Sequence, residues 1–147
     1  MNDARPSSRD TAAFDPARSG WEKVQSAQFG ELVGPVWRRE DGDRLRFGFV
    51  VAQKHLNRAG NLHGGMLMTL ADQSMAMTAR RATGNKRHAT IELNMQFVDA
   101  GRVGDFVESH CEVVRATRSL MFMRTKMLVG ERTVATATGI WKILRER

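Results

Sequence analysis

The stretch "NRAGNLHGGMLMTLADQSMAM", residues 57–77, decides how the chain folds. A glycine pair, Gly64 and Gly65, follows His63 at the point where a long apolar segment begins. One carboxylate, Asp72, lies inside that segment, nine residues beyond the histidine. Because an unpaired carboxylate in apolar surroundings costs several kcal/mol, such groups are enriched at functional sites. Asp72 is therefore the first candidate functional residue.

Residues 63–82 are predicted to form one long helix that is buried on most sides, because apolar side chains cover nearly every angle. The first N–H groups of a helix have no intrahelical acceptor, and glycine lets a ligand approach them closely. The N–H of Gly64 or Gly65 is thus a candidate donor to a carbonyl oxygen that becomes negatively charged. The alternatives are that the glycines only permit a tight turn and that Asp72 pairs with a polar neighbour such as Thr69.

The two features of this helix cannot act on one substrate within one chain. Nine residues separate the histidine from Asp72 by about 13 Å of helix rise and place them on opposite faces. In a two-fold dimer with the helices antiparallel and side by side, each Asp72 would lie near the partner's Gly64. We therefore expect an active site that two subunits share.

The rest of the chain is strand-like. "LVGPVWRREDGDRLRFGFVVA" (residues 32–52) predicts a hairpin with an Asp-Gly turn, and the period changes to two after the helix. Residues 1–19 are predicted to be a mobile leader, residues 20–147 one domain, and residues 20–30 a short helix. Four strands are predicted at 87–98, 104–116, 119–129 and 132–144. The expected α+β fold is a hairpin, one long helix and a four-stranded antiparallel meander, in a single sheet wrapped around the helix.

Composition limits the possible partners. The 147 residues carry a net charge of +7, with 41% hydrophobic and 27% charged residues and one cysteine, Cys111. No apolar run is long enough to span a membrane, and the polar start does not resemble a secretory signal, so we predict a cytoplasmic protein without membrane contact. The basic residues are scattered and match no nucleic-acid motif, so the net charge indicates only an anionic ligand of some kind. His55, His88 and His110 lack metal-ligand spacing, so no metal site is predicted.

Two segments carry a resemblance to a known family. "NRAGNLHGGMLMTLAD" (57–72) and "ATIELNMQFVDAGRVGD" (89–105) resemble the hotdog-fold acyl-CoA thioesterases, specifically the phenylacetate-pathway (PaaI-like) branch. The specific signal is the combination of Asn six residues before the histidine, Asp nine after it, and the "VGD" turn before a strand. The resemblance runs from about residue 30 to 144. It implies a hotdog fold, an acyl-CoA substrate, no cofactor, and a homodimer that forms a dimer of dimers in relatives.

The resemblance also implies a role for each matching residue. Asp72 matches the family's general base or nucleophile, and Gly64 matches the glycine whose amide polarises the thioester carbonyl. Asn57 would position the carbonyl or water, His63 would support the loop and helix start, and Thr90 would assist the water. The residues expected to contact the rest of the substrate are Gly65, Arg80, Arg81, Arg87 and Arg118, the arginines through the CoA phosphates. For each arginine, a solvated surface position is the alternative.

Other functions remain open at this point. A non-catalytic acyl-CoA sensor on the same fold would need the pocket but not Asp72. A hotdog dehydratase or hydratase is a weaker hypothesis, because its His–Glu or Asp–His pattern is not evident, and a nucleic-acid binder comes last. Whether Asp72 attacks the thioester directly or deprotonates water is also left open.

Overall fold

A seven-stranded antiparallel sheet packs around one long helix in the computed structural model, which describes residues 13–145. The elements in chain order are β1 Glu22–Lys23, α1 Phe29–Val33, β2 Trp37–Asp41, β3 Arg44–Val50, α2 Gly64–Ala82, β4 His88–Phe97, β5 Phe106–Ala116, β6 Leu120–Val129 and β7 Arg132–Ile143. The order across the sheet is β1-β2-β3-β5-β6-β7-β4. This α+β arrangement confirms the predicted fold, with α2 at the centre of the core.

The predicted strands agree closely with the observed ones. Each of the four predicted strands after the helix lies within two residues of an observed strand at both ends. Period-two alternation explains the agreement, since alternate side chains of β5 to β7 are buried against α2 and the others face away. The buried set includes Val107, Met121, Met123, Met127, Ala135 and Trp141.

The prediction of a four-stranded meander is wrong for β4. This strand pairs with β7 at one edge of the sheet, while β5 pairs with β3. Periodicity reports which side chains are buried but not which strands are neighbours, and the connection over residues 98–105 carries the chain across the sheet. As a result β4 is an edge strand and most of its side chains are exposed.

The predicted helix over residues 20–30 is also wrong. The chain is extended there, with β1 paired to β2 and the Val24 N–H bound to the Val36 carbonyl at 2.8 Å. Trp21 is 4% exposed, and its ring lies 4.8 Å from that of Phe106. Because this burial needs an extended approach along the sheet, the helix begins only at Phe29.

The described part of the predicted leader, residues 13–19, packs on the same aromatic cluster. The ring of Phe14 lies 4.6 Å from that of Phe106, and Pro16 is buried. Residues 1–12 lie outside the described part of the chain, so the prediction of mobility there stays a prediction. Across residues 13–145, no helix has both the length and the apolar character needed to cross a membrane.

Candidate active site

The start of α2 is held by the histidine that precedes it. His63 is the N-cap residue, and its Nδ1 accepts the Gly65 N–H at 2.8 Å. This bond requires an unprotonated Nδ1, so a neutral ring carries its hydrogen on Nε2. Among the described residues, no acceptor contacts the Gly64 N–H. The helix therefore presents one free backbone donor at its positive end, and that donor belongs to Gly64 rather than Gly65.

Glycine at position 64 is explained by close packing. A Cβ built there would lie 2.8 Å from the Phe97 ring, which belongs to the last residue of β4. The end of β4 therefore packs directly on the helix start. Because Gly64 has no side chain of its own, a ligand can approach its N–H.

The loop before α2 is organised by Asn57. Its Oδ1 accepts the N–H groups of Ala59 at 2.9 Å and Asn61 at 3.2 Å, and its own N–H donates to the Asn61 carbonyl at 2.8 Å. In this arrangement the side-chain NH₂ has no acceptor within residues 13–145 and lies on an exposed residue. Asn57 thus shapes the loop with one side-chain atom and keeps the other available.

Asp72 lies further along α2, and its carboxylate is hydrogen-bonded to a residue of β4. The Thr90 hydroxyl donates to Asp72 Oδ1 at 2.6 Å, and Asp72 is only half-buried. The expected unpaired acid is therefore not observed, nor is pairing with Thr69, whose hydroxyl donates to the Gly65 carbonyl. The apolar sequence around Asp72 suggested deep burial, but the edge position of β4 leaves this side of α2 open.

A β-bulge gives Thr90 its orientation. The β4–β7 register shifts between Thr90 and Glu92, so that Thr90 is paired with the buried Trp141. Residues directly opposite in an antiparallel pair point to the same face, and Trp141 points to the helix face. The extra residue, Ile91, thus puts Thr90 on the same face as Phe97.

The structure therefore gathers the predicted residues into two groups, and these two groups lie apart. One group is Asp72 with Thr90, at the beginning of β4. The other is Gly64 with His63 and Asn57, at the end of β4. About 12 Å of helix rise separates Gly64 from Asp72 within one chain, which is too far for both to contact one carbonyl.

The residues predicted to contact the rest of the substrate differ in whether they are already bonded to other groups. Arg81 donates to Glu40 at 3.2 Å, and the Gly65 N–H is occupied by His63, so both have other partners. Arg80 is exposed at the end of α2. Arg118 lines an open cleft beside Arg87, whose carbonyl accepts the Leu144 N–H at 2.9 Å.

Sequence reasoning missed Lys142 and Arg145, which line the same cleft. They lie at the end of β7, far in sequence from Lys86 and Arg118. A signal existed in the pattern of basic residues at the ends of the predicted strands. Without the strand order, nothing indicated that these ends meet.

The family of the chain follows from comparison with known proteins. The family model described as "Thioesterase superfamily" matches residues 59–136, just over half of the chain. The chain belongs to the thioesterase superfamily. The matched segment includes Gly64, Asp72 and Thr90 and begins two residues after Asn57.

Individual thioesterases and related proteins agree with this assignment. The Pseudomonas aeruginosa protein "Putative esterase PA0474" is 34% identical over 81% of this chain and 90% of its own length. The structure of BH2602 from Bacillus halodurans, determined with CoA, is 26% identical, with a TM-score of 0.69 over 75% of this chain and 74% of its own. A mutant of the phenylacetic acid degradation protein PaaI from Thermus thermophilus shares the fold, with a TM-score of 0.71, 23% identity and coverage of 79% and 98%. The predicted family and hotdog fold are confirmed, and the chain is a thioester hydrolase in general terms.

One buried histidine of this thioesterase supports the loop that precedes α2. His55 is 4% exposed, its Nδ1 accepts the Ala52 N–H at 2.9 Å, and its Nε2 donates to the Val33 carbonyl at 2.6 Å. Both bonds together require the neutral ring. The His55 carbonyl in turn accepts the His63 N–H at 2.8 Å, which ties the ring to the start of α2.

We expect His55 to make the stability of the protein depend on pH. Burial lowers the pKa of His55 below its ordinary value of 6.5, so the unfolded chain binds more protons than the folded one between the two pKa values. The stabilisation is complete above about pH 6.5 and is lost as the pH falls towards the lower folded pKa. Chemical denaturation of wild type and His55→Gln over this range should give a shallower dependence on pH for the variant.

Burial also lowers the pKa of His88. A residual dependence in the His55→Gln variant is therefore expected and can be assigned with His88→Gln. Identical slopes for wild type and His55→Gln would contradict the role of His55.

Proposed function

We propose that this chain hydrolyses acyl-CoA thioesters in a site shared by two subunits. Asp72 acts as the general base or nucleophile, and the Gly64 N–H of the other subunit stabilises the oxyanion. The observation that carries the proposal is the placement of the two half-sites at opposite ends of one exposed edge strand, β4. Similarity to a protein whose structure was determined with CoA supports an acyl-CoA substrate.

The edge strand supports a specific dimer. β4 has no partner on its outer side within residues 13–145, and Ile91 and Phe97 on it are 57% and 56% exposed. Exposed strand edges pair readily with another chain. Two copies of β4 related by a two-fold axis would form one continuous antiparallel sheet with both helices on the same face.

The bulge makes one register of that pairing compatible with a shared site. Because Ile91 is the extra residue, Thr90 and Phe97 each lie three pairing positions from Asn94. A two-fold axis at Asn94 would therefore set Thr90 opposite the partner's Phe97, with both side chains on the helix face. Thr90 contacts Asp72 and Phe97 packs on Gly64, so this register places Asp72 beside the partner's Gly64.

The chemistry follows from the atoms that remain free. No acceptor among residues 13–145 contacts the Gly64 N–H, so it can bind the thioester oxygen and stabilise the charge that develops on it. The Thr90 hydroxyl occupies Asp72 Oδ1 and leaves Oδ2 to attack the carbonyl or to take a proton from water. Thr90 thus serves to orient the carboxylate, rather than to bind the water as first expected. The free Asn57 NH₂ is the group that can hold the substrate carbonyl or water.

The test of the substrate class is hydrolysis of a panel of aryl and medium-chain acyl-CoAs, with release of free CoA as the readout. We expect turnover of at least one member and a solution mass of a dimer or a dimer of dimers. Binding of acyl-CoA without turnover of any member would favour the sensor instead. An active monomer would contradict the shared site. The cytoplasmic location and the dimer of dimers stay predictions.

The oxyanion donor can be removed without removing the helix. Gly64 is the first residue of α2, where proline is tolerated, and His63 has the extended backbone that precedes proline. Gly64→Pro deletes the N–H, and we expect kcat to fall about 10²–10³-fold, as for other oxyanion donors. The control is Gly64→Ala, which adds the same Cβ against Phe97 but keeps the N–H. Equal kcat values for the two variants would show that this amide is not the donor.

A further inference from the structure

Met68 is an exposed apolar side chain on the helix that carries both half-sites. It is 36% exposed, and no other large apolar residue of α2 is exposed to that extent. Its neighbours Leu67 and Leu70 lie in the core. A single apolar side chain at a surface needs no explanation, but the position of Met68 between the two half-sites gives it a consequence.

Met68 lies midway between the two half-sites of its own chain. It is four residues from Gly64 and four from Asp72, which is about 6 Å of helix rise in each direction. Each of these steps turns the helix only about 40° beyond a full turn, so the three residues lie along one side of α2. Phe97 packs on Gly64 at one end of this side. Thr90 bonds to Asp72 at the other end, so the side that carries Met68 faces β4.

The shared site determines where Met68 lies in the dimer. In two antiparallel helices related by a two-fold axis, a residue before the axis is level with the partner's residue the same number of positions after it. If Gly64 is level with the partner's Asp72, then Met68 is level with the partner's Met68. The two methionines therefore flank the axis, with one shared site on each side of them.

The surfaces on the two sides of each shared site differ in polarity. Towards the axis lie Met68 and, on the helix face of β4, Leu93 and Met95, which are half-buried against the core. Away from the axis lie the exposed Asn57 of one subunit and the exposed Arg80 of the other. Because CoA is charged and the acyl group is apolar, the acyl group is stabilised most when it points towards the axis.

We propose that the two Met68 side chains form one wall that ends both acyl pockets and limits the size of the acyl group, an inference that rests on the proposed function for the shared site. The Met68 wall lies about one helical turn from each carbonyl position, so each pocket is short. A methionine can adapt its shape to different acyl groups, but it still fills the space at the axis. The wall thus favours aryl and medium-chain acyl groups over long ones.

The first test measures acyl-CoA affinity in the Asp72→Asn background, where no turnover is needed. The ligands are straight-chain acyl-CoAs from butyryl to palmitoyl, and the readout is isothermal titration. Met68→Ala should raise the affinity for palmitoyl-CoA relative to butyryl-CoA about 10-fold, because it opens space at the axis. Met68→Phe should shift the preference towards shorter chains. A length profile that neither variant changes would overturn the proposal.

The control for the affinity test is Val114→Ala. Val114 is 57% exposed on β5, and β6 and β7 lie between this strand and β4. The control truncates another exposed apolar side chain and should leave the length profile unchanged. Weaker dimerisation of a Met68 variant would lower the affinity for all chains alike, so the ratio between chain lengths reports the wall. Equal shifts in Val114→Ala and Met68→Ala would contradict the role of Met68.

The second test measures the same limit in turnover. The ratio of kcat/KM for palmitoyl-CoA to that for butyryl-CoA should rise about 10-fold in Met68→Ala. Thioester hydrolysis with an unchanged ratio would overturn the Met68 wall and leave the proposed function standing. A change in length-dependent affinity without hydrolysis of any thioester would instead support the wall and contradict the proposed function.

The third test locates Met68 relative to the axis without any substrate. Cys111 is the only cysteine of the chain, so Met68→Cys in a Cys111→Ser background has one thiol per subunit. A short bismaleimide should join the two copies of Met68→Cys. It should not join those of Ala82→Cys, which would lie about 42 Å apart at the far ends of the two helices. A dimer in which Met68→Cys is joined no better than Ala82→Cys would place the axis elsewhere and overturn the proposal.

Discussion

Asp72→Asn is expected to lower kcat for acyl-CoA hydrolysis by about 10²–10⁴-fold, the contribution typical of a positioned general base. The amide keeps the size of the side chain and can still accept from the Thr90 hydroxyl, but it cannot take a proton or attack as a carboxylate. Binding of acyl-CoA should therefore persist while turnover is lost. Single-turnover kinetics of thioester cleavage, with a separate measurement of acyl-CoA affinity, check both parts.

The matched control for this substitution is Asp43→Asn. Asp43 is an exposed carboxylate in the turn between β2 and β3, away from both half-sites. The control should hydrolyse at the wild-type rate, because it removes the same charge without touching the site. A kcat for Asp72→Asn equal to that of the control would remove the carboxylate from the mechanism.

Mixing two inactive variants tests whether the site is shared between subunits. A heterodimer of Asp72→Asn with Gly64→Pro contains one site with both residues intact, formed by Asp72 of one chain and the Gly64 N–H of the other. Random exchange makes half of the dimers mixed, each with one of two sites restored, so about a quarter of wild-type activity should return. Refolding the variants together, with each alone as the reference, measures this return. No recovery despite subunit exchange would place both groups of each site in one chain.

Trp141→Ala is expected to destabilise the fold by about 3–5 kcal/mol, as for other large buried aromatic residues. Trp141 is 0% exposed on β7, where it lies opposite Thr90. Its ring also fills the space at Gly139, where a Cβ would stand 2.5 Å from a ring atom. The variant leaves a cavity beneath the Asp72–Thr90 pair, and its free energy of unfolding by urea measures the cost.

Trp141→Phe separates volume from hydrogen bonding. The Trp141 Nε1 is buried and has no hydrogen-bond partner among the described residues, so removing that N–H loses no bond. The phenylalanine should therefore cost less than half as much as the alanine. If the two cost the same, the indole nitrogen and not the packed ring would be the stabilising group.

Local patterns predicted much of the architecture. The apolar run over 63–82 predicted α2, which spans Gly64–Ala82, and period-two alternation predicted the four strands after it. These predictions succeeded because helix and strand periods are properties of neighbouring residues. The helix predicted at 20–30 failed, because Trp21 is buried against Phe106 on a strand far along the chain.

The candidate site was likewise predictable from the sequence only in part. The His-Gly-Gly start and the acid nine residues later are visible in the chain, and helix geometry alone requires two subunits if both act on one carbonyl. The partner of Asp72 was not visible in the residues themselves. Thr90 reaches it only because a bulge at Ile91 turns the hydroxyl towards the helix.

The residues alone thus specify the elements of this thioesterase and the groups able to do chemistry, since both depend on local spacing and side-chain type. The tertiary structure decides which of these elements and groups become neighbours. It moves β4 to the sheet edge, frees the Gly64 N–H while His63 occupies that of Gly65, and gathers Lys86, Arg118, Lys142 and Arg145 into one cleft. These features depend on contacts between segments far apart in the chain, and no local period or motif encodes which segments will meet.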